Sequence, residues 1–524
     1  MPAPQAVLEL VKRFNENLTN YRSPDYKEAE LRQEFINPLF ECLGWDMANK
    51  QGHAEAYKEV VHEESIKIGA NMKAPDYSFR VGGSRKFFLE AKKPAVAIKS
   101  DSGPAYQLRR YAWSAKLPLS ILTNFAEFAV YECKKKPDQN DKAATGRIHY
   151  FRHTEYAEKW DEIAGIFSKD AILRGSFDRY AEAGGRRGTA TVDSAFLSEI
   201  EEWREHLARN IAVRNPALSQ RDLNFAVQIT IDRIIFLRIC EDRGVEAYGQ
   251  LQDLLRHKED VYAGLLTAFK LADAKYNSGL FHFDDEDGRD APDALTPNLV
   301  IDDKVLKGII KGLYFPESPY EFSVISADIL GQVYEQFLGK VIRLTDHHTA
   351  KVEDKPEVRK AGGVYYTPTY IVKYIVEQTV GKLLGPANVV AGATMTPKQA
   401  RKLRVLDPAC GSGSFLLGAY DCLLDWHRDR YIAEGPENHK KELVALPGGG
   451  YRLTTAERKR ILKTNVYGVD IDPQAVEVTK LSLLLKVLEG ETQQSLQALL
   501  FSKERVLPDL DDTIRCGNSL IGGD

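Results

Sequence analysis

The stretch APDYSFRVGGSRKFFLEAKKP, residues 74–94, holds two isolated acids, Asp76 and Glu90, each seven residues from Gly83. Short apolar runs flank Gly82-Gly83, which reads as the turn of a hairpin. Side chains alternate faces along a strand, so Glu90 and Lys92 point the same way. With the turn centred on Gly83, Asp76 lies across from Glu90, about 5 Å away between Cβ atoms. Two carboxylates that close repel unless a cation lies between them, and hard oxygen ligands with few protein donors suit Mg²⁺. A lysine beside such a metal can orient or activate an attacking water. This is a constellation for metal-assisted hydrolysis of a phosphodiester. A surface hairpin whose charges face water uses the same residue types, and spacing alone leaves both readings open.

A second constellation lies in RVLDPACGSGSFLLGAY, which reads as a short strand, a glycine loop and a helix opening near Ser412. Gly411 and Gly413 carry no Cβ, so a ligand can lie against the loop and the helix N-terminus. A dinucleotide fingerprint would want a third glycine where Leu416 stands, and an acid about 20 residues on. That reading fails on both counts. The acid of the next strand, NVYGVDIDP, is Asp470, and it follows an insertion in which Thr454 and Glu457 have capping-box spacing.

The elements that position these residues fall into three sections: 1–180, 181–355 and 356–524. In the first, EAELRQEFINPLFECLGW sets Leu31, Phe35, Leu39 and Leu43 at helical spacing, with Pro38 expected to kink or shorten the helix. KFFLEAKK and LPLSILTNFAEFAVYEC have strand-like composition, and AEAGGRRGTATVD reads as a linker. In the second, FAVQITIDRIIFLRICEDRG places Val227, Ile231, Ile234, Ile235 and Ile239 on one helical face, with a C-cap at Gly244. VISADILGQVYEQFLGK repeats that pattern with Leu330, Tyr334, Phe337 and Leu338. Glu241, Asp242 and Arg243 read as a charged helix face or a short salt-bridge network. Asp346, His347 and His348 have no third ligand at metal-site spacing and read as a solvated linker. The third section alternates strands and helices as a parallel α/β sheet does.

Composition sets limits on function. A chain of 524 residues exceeds one core. With 43% hydrophobic and 28% charged residues it is ordinary for a globular protein. No apolar run approaches the roughly 18 residues that span a bilayer, and a signal peptide is not expected, nor a membrane partner. The six cysteines are scattered without a CxxC pair, which suits reduced thiols in a cytoplasm and argues against zinc. A net charge of -4 means that any DNA contact must come from local basic surface.

Taken together, PDYSF…FFLEAKKP resembles the PD-(D/E)xK nuclease core, in the variety that forms an N-terminal cleavage domain. Gln107 and Tyr111 of QLRRY stand four apart, at the spacing of the Q-x-x-x-Y motif of that variety. The resemblance implies that Asp76, Glu90 and the carbonyl of Ala91 bind Mg²⁺, that Lys92 activates water, and that Gln107 and Tyr111 position the scissile strand. An acid on the opening helix often joins such sites, and Glu28 is a better candidate than Glu34.

DPACGSGSF followed by YGVDIDPQAV resembles the adenine-N6 DNA methyltransferases, whose cofactor is S-adenosylmethionine. GGVYYTPTYIVKYIVEQTV is similar to the segment preceding their glycine loop. That likeness implies that Tyr366 and Thr367 flank the methionine end of the cofactor. Asp407, Ala409 and the Gly411–Gly413 loop would hold its amine and backbone. Asp470 would take the ribose hydroxyls, Ile471 would cover the adenine, and Asn518 would reach its polar edge. The Asn/Asp-Pro-Pro-Tyr/Phe tetrapeptide that grips a flipped adenine in those enzymes has no counterpart in the sequence. The expectation is therefore a chain that is C-terminally truncated or that depends on another polypeptide to complete it, and that does not methylate DNA without the missing methyltransferase and recognition region.

The order of the sections resembles that of type IIG restriction-modification enzymes, which are bacterial or archaeal. The expected fold is multidomain α/β: a PD-(D/E)xK nuclease domain, an all-α connector, and a partial Rossmann-like methyltransferase domain. The implied partner is double-stranded DNA, with self-association where both strands are cut. The alternative is a DNA-binding, cofactor-sensing phage-defence subunit with an inactive nuclease.

Overall fold

The computed structural model describes residues 2–521 apart from 53–57, 63–66, 69–70, 73–74, 82–83, 176–191, 257–259, 277–279, 286–291, 326–339, 346, 355–366, 368, 388–394, 446–449, 490 and 492–505. The Gly82-Gly83 turn, the linker over 181–191, the helix carrying Leu330, Tyr334, Phe337 and Leu338, and also Asp346 and Tyr366, lie outside the described residues. The chain is a multidomain α/β protein with two compact units. One is Met1–Ala195 with Phe315–Ile325 and Gly448–Gly450, and the other is Phe196–Tyr314 with Ser326–Pro447 and Tyr451–Asp524.

The first unit is built on a six-stranded sheet. Its strands β1 (Val60–His62), β2 (Tyr77–Val81), β3 (Ser84–Ala91), β4 (Leu119–Thr123), β5 (Glu127–Glu132) and β6 (Arg147–Arg152) lie in chain order. Only the β3–β4 pair is parallel. A parallel pair needs a crossover, and helix α1 (Ser102–Ser114) supplies it, opened by Asp101, whose carboxylate accepts the Gly103 N–H. Both faces of β3 are covered. Phe87, Leu89 and Ala91 enter one core, and Phe88 enters another with Leu108, Tyr111 and Ala112 of α1. Strand alternation therefore projects Glu90 toward the α1 side. Tyr77 pairs with Leu89, and one further step of that register sets Asp76 opposite Glu90.

The opening helical run does not stop at Pro38. It passes from Glu28–Leu31 through a π turn at Arg32–Ile36 into Asn37–Cys42. Pro38 falls at the start of the last segment, where the wider turn frees it from a helical hydrogen bond.

The second unit has helices α2 (Val192–Arg214, from Phe196 on), α3 (Gln220–Asp242), α4 (Val261–Tyr276) and α5 (Asp303–Gly312). The one-faced reading of α3 is corrected, because the helix is buried on all sides from Ala226 to Asp242. Its charges are buried too, so the solvated-face reading fails and the network reading holds. Arg238 Nη1 lies 2.7 Å from Asp242 Oδ1, and the Tyr314 hydroxyl donates to Glu241 Oε2 at 2.5 Å. Gly244 ends the helix at φ 66°, the left-handed C-cap conformation. The all-α expectation for 181–355 is also corrected. Strands β7 (Lys340–Leu344) and β8 (Ala350–Asp354) form an antiparallel hairpin, with His347 and His348 in its turn. Lys340 and Arg343 in the first strand and Lys351, Glu353 and Asp354 in the second hid it from a reading based on apolar alternation.

Farther along the chain, β9 (Val405–Asp407), β10 (Val466–Asp470) and β11 (Ile514–Cys516) form a parallel sheet in that order. Helix α6 (Ser414–Ala433) connects the first pair and α7 (Pro473–Val487) the second. Helix α6 opens at Ser414 rather than near Ser412, with Gly413 as its N-cap. Thr454 caps its helix by accepting the Glu457 N–H, but Glu457 turns to Arg460 and Tyr431, so only half of the capping box forms. Among the described residues no helix is long and apolar enough to cross a membrane.

Candidate functional site

The hairpin and α1 bring Asp76, Glu90, Ala91, Lys92, Gln107 and Tyr111 into one part of the first unit. Asp76 is 5% exposed and Glu90 3%, so both carboxylates sit in the interior. Asp76 Oδ2 accepts the Ala91 N–H at 2.6 Å, and its Oδ1 is 3.2 Å from Arg32 Nη1. Glu90 Oε1 accepts from Lys92 Nζ at 2.6 Å and from Gln107 Nε2 at 3.0 Å. Glu90 Oε2 is buried and has no hydrogen-bond partner.

The electrostatics follow from that crowding. Burial first, and then the Asp76 charge, push the Glu90 carboxyl well above the usual carboxylate range. Burial pulls Lys92 down, but the adjacent Glu90 outweighs it and holds the ammonium charged above its ordinary range. Desolvation and Asp76 likewise raise Glu28, which also feels Lys92 and Arg32. Glu34 instead lies near Tyr21 and Tyr26, where burial first and then the Glu34 charge raise both phenols. Of the two helix acids, Glu28 is the one within reach of the clamp. Among the described residues no three His, Cys, Asp or Glu side chains converge as a metal cage, so the hairpin offers two carboxylates and main chain only. An unsatisfied buried carboxylate oxygen beside a second carboxylate is a donor set that fits a small hard cation.

Sequence reasoning missed Arg32. It sits one helical turn after Glu28, enters the π turn, and lies over the Tyr77 ring at 4.9 Å. Its i,i+4 spacing from Glu28 was the available signal.

The glycine-loop residues gather at the carboxyl ends of the parallel strands, the usual ligand side of such a sheet. Asp407 Oδ1 accepts the Ala409 N–H at 3.1 Å, and Asp470 Oδ2 accepts the Gly411 N–H at 2.9 Å. Desolvation raises the Asp407 carboxyl, and the Ala409 N–H partly offsets that. Asp470 Oδ1 also accepts the Asp472 N–H, and the Gly517 N–H donates to the Asp470 carbonyl, drawing the Asn518 segment toward β10. Ile471 is 74% exposed and Asn518 is exposed. Thr367 is half-buried just before the helix Thr369–Val376. Gly413 needs its missing Cβ for packing more than for a ligand. At φ +83°, a Cβ there would come within 2.8 Å of Thr479 Cγ2.

Residues 394–522 match the family model described as MmeI, DNA-methyltransferase domain. Over 98% of its length the chain is 37% identical to the type II restriction enzyme and methyltransferase RM.Eco57I of Escherichia coli. The chain is a homologue of the type II restriction enzymes and methyltransferases. It spans about half the length of that relative, 49%. A shorter match, 26% identical over 36% of the chain and 15% of the relative, is to the adenine-specific methyltransferase BrxX of Escherichia coli O9:H4 (strain HS). Among solved structures, a DrdV–DNA complex aligns with 92% of the chain and 38% of its own, at 13% identity and TM-score 0.29. A structure of the restriction-modification enzyme MmeI with DNA aligns with 62% and 40%, at 14% identity and TM-score 0.32. The homology is carried by the sequence matches, which extend through both the hairpin and the glycine loop.

Proposed function

We propose that this chain carries the nuclease and part of the cofactor-binding region of a type IIG restriction-modification enzyme that cuts double-stranded DNA with Mg²⁺. In the complete protein, S-adenosylmethionine would donate a methyl group to adenine N6. The observation that carries the nuclease reading is Glu90 Oε2, buried without a partner and set opposite Asp76. Asp76, Glu90 and the Ala91 carbonyl would hold the ion, which when bound supplies positive charge against the charge developing on the phosphate. Lys92, kept charged by Glu90, orients a water toward the phosphate. Gln107 holds the same Glu90 oxygen that accepts from Lys92, and the neutral Tyr111 hydroxyl lies on the same face of α1. Arg32 and the Ala91 N–H fix Asp76.

For the cofactor, the reading assigns Asp407, Ala409, Gly411 and Gly413 to the amino-acid end, with Tyr366 and Thr367 beside it. Asp470 keeps lone pairs free for ribose hydroxyls after accepting two N–H groups, and Ile471 and Asn518 offer exposed surface to an adenine. The three-part division at 180 and 355 belongs to the same proposal, as do the PD-(D/E)xK assignment and self-association for cutting both strands.

The test is cleavage of long phage DNA with Mg²⁺, with and without S-adenosylmethionine, by this chain and by Asp76→Ala. Cutting that disappears in the variant supports the reading, and equal cutting by both refutes it.

A further inference from the structure

Phe315–Ile325 belongs to the first compact unit although both flanking stretches of chain belong to the second. From Ser318 on the segment is mostly buried: Tyr320, Glu321 and Phe322 are 1%, 2% and 0% exposed, while Phe315 at its start is 51% exposed. Val324 enters the core formed by Phe88, Leu108, Tyr111 and Leu122. Its polar contacts fall on α1. The Glu321 N–H donates to Ser114 Oγ at 3.0 Å, and Glu321 Oε2 lies 3.7 Å from Arg110 Nη2. Arg110 Nη2 also donates to the Tyr320 carbonyl at 2.9 Å and stacks over the Phe315 ring at 5.1 Å.

Gln107, Arg110, Tyr111 and Ser114 stand at i, i+3, i+4 and i+7, one stripe of the helix. The segment therefore grips the same stripe that presents Gln107 to Glu90. Buried charge makes that grip specific. Glu321 and Arg110 face each other away from water, where loss of one partner leaves the other uncompensated. The Tyr111 hydroxyl senses both ends of the stripe, since after burial it is raised by Glu321 and then by Glu90.

We infer that Phe315–Ile325 is a working part of the cleavage site and that Glu321 is a positioning residue, setting α1 so that Gln107 holds Glu90 ready for the metal. This rests on the nuclease reading above. Side chains that hold a metal's own ligand, as Gln107 holds Glu90, commonly change metal affinity by roughly 10–100-fold when removed, and Glu321 acts on Gln107 through α1.

The experiment is a calorimetric Mg²⁺ titration of the intact chain, comparing wild type with Asp76→Ala, Glu321→Gln, Glu321→Asp, Gln107→Ala and the Gln107→Ala/Glu321→Gln pair. Melting temperature without Mg²⁺ is recorded for each. Glu321→Gln should weaken Mg²⁺ binding roughly 10-fold, with partial recovery in Glu321→Asp. Added to Gln107→Ala it should cost little more, because both changes break one chain of contacts. A Glu321→Gln protein that melts lower yet binds Mg²⁺ like wild type overturns the inference, as does a full independent loss in the double variant. If Asp76→Ala binds Mg²⁺ like wild type, the nuclease reading itself fails, which is a distinguishable outcome.

Discussion

The carboxylate hairpin and the glycine loop both display acids at the end of a strand, yet they treat them in opposite ways. In the hairpin, Asp76 and Glu90 are buried face to face and one Glu90 oxygen is left without a partner. In the loop, Asp407 and Asp470 accept main-chain N–H groups of the loop itself, and Gly413 fits closely against Thr479. The first arrangement is costly without a ligand, a cost the proposed metal would offset. The second is already satisfied, and leaves exposed side chains such as Ile471 at its rim. Substitutions should therefore separate binding from stability in the hairpin and join them in the loop.

The largest expected effect is at Glu90. Glu90→Gln removes a ligand charge and should lower cleavage by roughly 10³-fold, the scale of losing a preorganised electrostatic group. Metal-free Glu90→Gln should nonetheless melt higher than wild type at alkaline pH, where the acid must carry its charge beside Asp76. Calorimetry without Mg²⁺ checks this, and a lower melting temperature would break the contrast.

The second effect concerns pH. His427 of α6 is buried, and desolvation holds it down to about 4. The unfolded histidine, near 6.5, binds a proton that the folded one refuses, so stability is full above 6.5 and falls as pH drops toward 4. The loss should reach about 3 kcal/mol, and His427→Gln should remove that slope in acid melts.

A smaller effect is expected at Gly413. Gly413→Ala meets Thr479 and an unfavourable φ together, costing about 1–3 kcal/mol. Melting and S-adenosylmethionine affinity should fall in parallel. Weaker binding at unchanged stability would mean that Gly413 serves the ligand and not the packing.

How much of this was legible in the sequence depended on the range of the interaction. The facing of Asp76 and Glu90 was legible from strand alternation over twenty residues, but the turn alone does not set it: Val81 pairs with Ser84, and an irregularity between Phe79 and Arg80 shifts the register so that Tyr77 pairs with Leu89. The glycine loop was readable for the same reason. Burial of Arg238, Glu241 and Asp242 was not, because charged letters look alike whether they face water or a buried Tyr314. The β7–β8 hairpin was hidden by its lysines and acids. Arg32 and Glu321 were missed because their partners lie 44 and 211 residues away in the chain, as the pairs Arg32–Asp76 and Glu321–Arg110 show.

The most direct test of the central claim is the effect of Mg²⁺ on the melting temperature of the first unit, in wild type and in Asp76→Ala. An ion seated between the carboxylates should raise the wild-type midpoint in a concentration-dependent way and leave Asp76→Ala unmoved. The same rise in both proteins, or in neither, would contradict a metal clamp at Asp76 and Glu90.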